Sequence, residues 1–467
     1  MARNDSSARP YHVRDRTSVR TPLSDRAPSA AGAALCGLGV VLLLGVVASR
    51  LVLPAGAYGD LSTNLAVRQI ACTLAAGVVY LGAVALVCAR SIPRWSLVAS
   101  LAIALAARLV LLAAPPVMST DLYRYVWDGR VQAAGINPYR YIPADPVLAS
   151  LRDAGSGPEA IYSNINRAET APTIYPPAAQ MLFAAVGLTA PTIWTVKTLI
   201  LVMDCLAGLA AWRLLRAAAR PDAFVLIWAW NPLVIWEFSG SGHIDAAALA
   251  ASGAALVFAA HRRPAAAGAA LGVAVLFKLL PAALAPAIWR WRRWRAVLAA
   301  LAVIALGYAC YASAGLKVLG YLPGYAREEQ LAGGGGFLLL RLLALLVRLP
   351  GWAAGAYLTL VLIFLAAIAL AVLARPGQPA DAEVIARQAL LLAAALLLAL
   401  SPHYPWYLTL AVLPATVVPR WGALWPSLAG PLLYLDFALS HPLWPAMVYL
   451  PMLAWLALEL RKEIDHA

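Results

Sequence analysis

Apolar runs long enough to cross a bilayer recur along the chain from Ala31 to Leu460. A hydrocarbon core about 30 Å thick is spanned by about 20 apolar residues in a helix. Backbone at that depth must satisfy its own hydrogen bonds, so such runs specify helices. Hydrophobic residues make up 62% of the sequence and charged residues 12%, against about 45–50% and about 25% in soluble domains. The chain therefore reads as an all-α polytopic membrane protein, and soluble classes are excluded. A net charge of +14 does not point to nucleic acid here, because basic residues mark the cytoplasmic ends of membrane helices. Cys36, Cys72, Cys88, Cys205 and Cys310 lie in apolar runs without metal-ligand spacing and read as small buried hydrophobes.

The basic residues order the spans. Residues 1–30 are rich in Arg, Ser and Pro and read as a disordered basic cytoplasmic tail. About twelve transmembrane helices are expected within 31–460: near 31–53, 66–89, 96–114, 192–216, 222–238, 244–260, 296–314, 352–374, 385–401, 405–418, 422–439 and 443–460. Arg90, Arg94, Arg213, Arg216, Arg220, Arg262, Arg263, Arg375, Arg387 and Arg420 then fall inside, with both termini, including a 461–467 tail. Residues 115–191 form a long outer loop, and 315–350 a second outer loop with an interfacial helix. The run 264–289 has arginines at both ends and Lys278 and Pro281 in its middle. A re-entrant hairpin keeps both basic clusters inside, whereas a single crossing does not.

The 115–191 loop is too rich in aromatics, among them Tyr123, Tyr125, Trp127, Tyr139 and Tyr175, to be disordered. Read as a helix, 119–132 places Asp121, Arg124, Tyr125, Asp128 and Gln132 on one face, an amphipathic helix lying on the membrane with that face wet. Each of these side chains also has an ordinary reading. Asp121 could be an N-cap, and Asp128 could simply pair with Arg124. His403 could belong to an aromatic belt with Tyr404, Trp406 and Tyr407. His243 and Asp245 could cap a helix. Lys278, in the middle of an apolar run, calls for a buried anionic partner. Apart from Lys278 the midplane reads as nearly free of charge, which favours chemistry at the outer interface over passage through the membrane.

The segment Asp-Leu-Tyr-Arg-Tyr-Val-Trp-Asp-Gly-Arg-Val-Gln-Ala-Ala-Gly-Ile-Asn-Pro-Tyr, 121–139, resembles the first outer loop of bacterial mannosyltransferases that use polyprenyl-phosphate-mannose, within the GT-C superfamily of multi-pass glycosyltransferases. Tyr175-Pro176-Pro177, Gly242-His243-Ile244-Asp245, Phe277-Lys278-Leu279-Leu280-Pro281 and His403-Tyr404-Pro405-Trp406-Tyr407 follow in the same order. The resemblance implies a GT-C-type helical bundle and an inverting transfer of a hexose, mannose by preference, from a polyprenyl-phosphate donor to a glycan, glycolipid or other membrane-associated acceptor. It implies a plasma-membrane enzyme with cytoplasmic termini and an extracytoplasmic active site. It assigns Asp121 as catalytic base. His403, Tyr404, Arg124 and Arg130 are the candidates for the donor phosphate. Asp128, Asn137, Tyr175, His243, Asp245, Lys278 and Trp406 are further substrate-site candidates. No cofactor or metal is expected, since no His/Asp/Glu cluster has ligand spacing. The rival readings are a lipid or small-molecule transporter or flippase, and a non-catalytic scaffold.

Overall fold

The computed structural model describes residues 30–51, 63–155, 157, 159–289, 293–374 and 381–465, and every regular element among them is helical. The basic tail expected over 1–30 lies almost wholly outside the described residues, as does Arg375. Among the described residues, seven helices are long and apolar enough to span a membrane. In the numbering used below, these are α1 (Ala30–Leu51), α2 (Thr63–Ala89), α3 (Arg94–Leu112), α6 (Ile193–Ala217), α12 (Ala353–Ala374), α13 (Ala382–Leu400) and α17 (Leu443–Asp465). Two bent pairs raise the number to nine. One joins Asp222–Ala229 to Pro232–Gly240 at 54°, the other Trp294–Ala309 to Ala312–Glu328 at 111°.

Nine of the twelve expected runs correspond to these helices and bent pairs; the other three, near 244–260, 405–418 and 422–439, are shorter or broken, the first forming the 16-residue helix Asp245–Ala260. The run near 405–418 is broken into a 3-10 turn and a short α14 (Thr409–Ala415). The run near 422–439 becomes α15 (Trp421–Ala429), a 3-10 turn and α16 (Leu433–Leu439). Pro405, Pro426 and Pro431 sit in these pieces, and a proline removes a helical hydrogen bond and crowds the preceding turn. The interfacial helix expected within 315–350 is confined to seven residues, α11 (Leu338–Ala344).

The interior is not free of charge, contrary to the sequence reading. Arg108 of α3 and Asp204 of α6 meet at 2.6 Å, with side-chain exposures of 5% and 0%. Trp228 Nε1 donates to Asp204 at 2.9 Å, and Arg108 also donates to the Ala229 carbonyl at 2.6 Å. Lys197 is fully buried and donates to the carbonyls of Leu111 and Ala114 at the end of α3. Arg108, Asp204 and Lys197 each lie in a largely apolar helix, so only the folded bundle reveals their partners. The cysteines are free, and Cys88, Cys205 and Cys310 are exposed rather than buried.

Two arrangements position the site. The first is the crossing of α4 (Asp121–Ala133) with α5 (Pro177–Thr189) inside the 115–191 segment. The helices touch backbone to backbone: a Cβ on Gly187 would lie 2.0 Å from the Gly129 carbonyl oxygen. As a result nine of the thirteen residues of α4 are buried, Arg124, Tyr125 and Asp128 among them. The wet-faced amphipathic helix expected from periodicity is thus a buried helix. Spacing revealed its polar stripe but not that α5 and the rest of the loop cover it.

The second arrangement is the path of 264–289. α7 (Asp245–Ala260) and α8 (Pro264–Phe277) run antiparallel, tied by the 2.6 Å pair between Lys278 Nζ and Asp245 Oδ2. Lys278 is extended (φ −157°, ψ 147°) and ends α8. α9 (Arg293–Ala309) then runs parallel to α8, with Gly268 against Ala296, Gly272 against Ala300, and Gly307 against Leu276. The intervening chain must therefore return to the end at which α8 began, leaving Lys278 at the turning point.

Candidate active site

Six segments far apart in sequence close on one cavity of about 600 Å³, within the range of pockets that bury a small ligand. Asp121 and Arg124 come from α4, and Asn166 and Arg167 from the loop that follows it. Tyr175 and Pro176 precede α5, and Phe277 to Leu280 form the turning point after α8. Tyr321 and Tyr325 flank or lie on α10 (Leu322–Glu328). Tyr404, Trp406 and Tyr407 follow α13, and Tyr434 and Phe437 come from α16. Most of this lining is aromatic or aliphatic, so a few charged groups act in largely apolar surroundings.

Asp121 is the only carboxylate among the residues lining the cavity. It is the first residue of α4, and the N-cap position belongs to Thr120, whose side chain makes no capping bond. The capping role that an Asp at a helix start could have played is thus not the one seen. Its backbone N–H donates to Ser119 Oγ at 3.3 Å, and its Oδ1 accepts from Asn166 Nδ2 at 3.1 Å.

Lys278, Arg167 and His403 approach the cavity, each with an acidic partner. Lys278 pairs with Asp245, the buried anion its position called for, and its ammonium lies 4.6 Å from the centre of the Tyr407 ring. Arg167 pairs with Glu328 at 2.6 Å, and burial of its guanidinium is outweighed by Glu328 and Tyr404, which hold it firmly charged. His403 Nδ1 lies 3.3 Å from Glu329 Oε2, set back from the cavity wall. Burial, with Glu329 beside it, pushes the Tyr404 hydroxyl upward, so at neutral pH it is a neutral donor. The Tyr325 hydroxyl is pushed the same way by burial and lies 3.0 Å from that of Tyr407.

The remaining sequence candidates are held by other partners. Arg124 borders the cavity, but its guanidinium is bonded to Asp128 at 2.8 Å and to the Ala171 carbonyl at 3.0 Å. Asp128 is buried behind it and accepts from Gln180 Nε2 at 2.8 Å, so it braces α4 against α5 and does not face the cavity. Arg130 points away to Asp153. Asn137 donates to the Tyr311 carbonyl and Ser313 Oγ. His243 is wholly buried, 3.1 Å from Glu237, and its ring packs on Trp406 at 3.9 Å between centroids. Tyr434 donates to the same Glu237 at 2.9 Å. Glu237 lies on a π-helical turn, Ile235–Gly240, a geometry frequent at functional sites.

Sequence reasoning missed Asn166, Arg167, Glu237, Glu328 and Tyr434. The signal at Arg167 is its backbone, with φ at +57°, a left-handed conformation uncommon outside glycine and one that composition does not show.

A family model described as "Alpha-(1->6)-mannopyranosyltransferase, N-terminal domain" matches residues 29–293, more than half of the 467-residue chain. The match takes in α4, the Asn166–Arg167 turn, Tyr175 and Lys278 but ends before Tyr404. No curated protein and no solved structure matches the chain. The cavity, its single carboxylate and the extent of the family match agree: the chain belongs to the alpha-(1->6)-mannopyranosyltransferase family and is a membrane-embedded glycosyltransferase.

Proposed function

We propose that the chain transfers a mannosyl residue from polyprenyl-phosphate-mannose to a hydroxyl of a glycan, glycolipid or other membrane-associated acceptor, with inversion at the anomeric carbon. The observation that carries this reading is the placement of Asp121 as the one carboxylate in an apolar cavity rimmed by Lys278, Arg167 and the Tyr404 hydroxyl. In the reaction the acceptor oxygen bonds to the anomeric carbon as its proton passes to Asp121. The bond from that carbon to the donor phosphate oxygen breaks, and the electron pair leaves with polyprenyl phosphate. A single positioned carboxylate suffices as general base. A retaining route would need a second carboxylate as nucleophile, and the lining supplies one only.

Charge that develops on the phosphate needs donors fixed beforehand. Arg167, Tyr404 and Lys278 are the residues proposed for it, with His403 next to them. Arg124 and Arg130, the other candidates for the donor phosphate, are occupied by Asp128 and Asp153. Glu328 and Glu329 hold Arg167 and His403 in the free enzyme, and an incoming phosphate would take their place. The aromatic and aliphatic wall from Tyr175, Pro176, Tyr325 and Phe437 suits the first isoprene units of the lipid. No metal or cofactor is given a role in this mechanism. In the proposed topology both termini are cytoplasmic, 264–289 enters and leaves on the cytoplasmic side, and the cavity faces the extracytoplasmic side of a bacterial-type plasma membrane. The bundle is taken as GT-C-like.

Detergent-purified protein should release polyprenyl phosphate from polyprenyl-phosphate-mannose in the presence of a cell-envelope acceptor extract, without a membrane gradient. Turnover of a nucleotide-linked mannose in its place would overturn the donor assignment. Movement of intact donor across vesicles without bond cleavage would favour a flippase.

A further inference from the structure

Asn166 sits on a loop turn between a side chain that braces the loop and one that reaches out of it. Asn164, two residues earlier, donates to the carbonyls of Gly157 and Ala160. Asn166 instead directs its amide across 45 residues of sequence to Asp121 Oδ1, at 3.1 Å. The turn is held in an unfavourable shape for this. Arg167 is left-handed at φ +57°, and its carbonyl accepts from Thr170 and Ala171 at 3.2 and 3.0 Å. Its side chain is anchored by Glu328. Strained residues persist where the surroundings over-determine them, and they gather at active sites. Here the result is that two consecutive side chains, Asn166 and Arg167, both line the cavity.

We propose that Asn166 is the positioning residue for the base, fixing the Asp121 carboxylate by donating to Oδ1 so that Oδ2 is left to take the acceptor's proton. This rests on Asp121 being the general base. A carboxylate free to rotate about its terminal torsion presents either oxygen in a broad range of directions, whereas one clamped by an amide presents a single oxygen in a near-attack geometry. Asn166 touches neither substrate in this account and acts through Asp121.

The groups around Asp121 include Tyr125 on its own helix, Tyr175 before α5, Arg167 with its partner Glu328, Lys278 with its partner Asp245, Tyr404 with Glu329 and His403 beside it, and Tyr434 with Glu237. Asp245, Glu328, Glu329, Glu237 and His403 are common to wild type and variant, so the difference between their acid limbs is what reports on residue 166 and its effect on Asp121.

The test uses the full chain, polyprenyl-phosphate-mannose and a cell-envelope acceptor extract, with kcat/KM followed against pH. Asn166→Asp keeps the shape but sets a second carboxylate about 3 Å from the first, where both cannot easily ionise. Its acid limb should move up by at least about one pH unit. Asn166→Ala should lower kcat by roughly 10- to 100-fold, the scale of a lost hydrogen bond to a charged group, while donor KM stays within about two-fold and thermal stability is retained. An unmoved acid limb in Asn166→Asp, or near-normal kcat in Asn166→Ala, together with an inactive Asp121→Asn protein, would overturn the inference while leaving the base in place. An active Asp121→Asn protein would overturn the base and the positioning role together.

Discussion

The α4–α5 crossing is where packing and chemistry are most tightly linked, and Gly187→Ala probes it. The new Cβ would stand 2.0 Å from the Gly129 carbonyl oxygen, where real Cβ atoms essentially never come within 3.0 Å. The obstructing atom is backbone, so no side chain can swing aside, and the helices must separate by about 1 Å. Overpacking of this kind costs about 1–3 kcal/mol. Alanine recovers ~1 kcal/mol of it through its helix propensity, leaving a net loss of about 0–2 kcal/mol. The larger effect is functional. Asp121 lies on the same rigid helix eight residues before Gly129, and a misplacement of about 1 Å at a reacting group can cost about 10²-fold in rate. Thermal denaturation and kcat of purified Gly187→Ala should both fall. Gly129→Ala should behave alike, since its Cβ would lie 2.2 Å from the Phe183 carbonyl oxygen. Gly45→Ala is the control, with nothing within 4 Å of its Cβ. Wild-type melting and wild-type kcat in Gly187→Ala would refute the claim that this crossing sets the position of Asp121.

Two further outcomes are expected. In a cysteine-free background, cysteines at the exposed positions Glu169 and Leu316 should react with an impermeant thiol reagent added outside intact cells, and cysteines at Arg90 and Arg461 should not; the reverse pattern would invert the topology. Asp153 should make stability pH-dependent: burial alone would raise its carboxyl, but the Ile161 and Tyr162 N–H groups and Arg130 outweigh burial and hold it below its ordinary value. Its contribution is therefore present above the unfolded value near 4 and is lost as pH falls through the lower folded value. In acid melts Asp153→Asn should remove that part of the pH dependence, whereas an unchanged slope would show that the Asp153 bonds add nothing.

How much of this was legible in the sequence varied with the kind of information needed. The long spans were, because a run of apolar residues is a local property. The turn at Lys278 was too, because a charge and a proline inside an apolar run mark a break wherever they occur. Arg108 and Asp204 were not: each is flanked by apolar residues in its own span, and they lie 96 residues apart. The polar stripe of α4 was visible, but periodicity does not say what covers a stripe, so a buried brace built on Arg124, Asp128 and Gln180 read as a wet face. Asn166 and Arg167 lie in a stretch with no motif, and what brings them to the cavity is a left-handed turn that residue types alone do not encode.

Asp121 carries the central claim, and Asp121→Asn tests it most directly. Asparagine has nearly the same volume and still offers a carbonyl oxygen to Asn166, so the fold at the start of α4 should hold, but it cannot accept the acceptor's proton. Transfer from polyprenyl-phosphate-mannose by the purified protein should fall by about 10²–10⁴ in kcat, with unchanged melting and donor binding. Asp128→Asn, measured alongside, should lower stability, because it breaks the buried pair with Arg124, and the protein that remains folded should keep most of its turnover. Near-normal transfer by Asp121→Asn would contradict the account, and a collapse of turnover confined to a stably folded Asp128→Asn protein would move the base to Asp128.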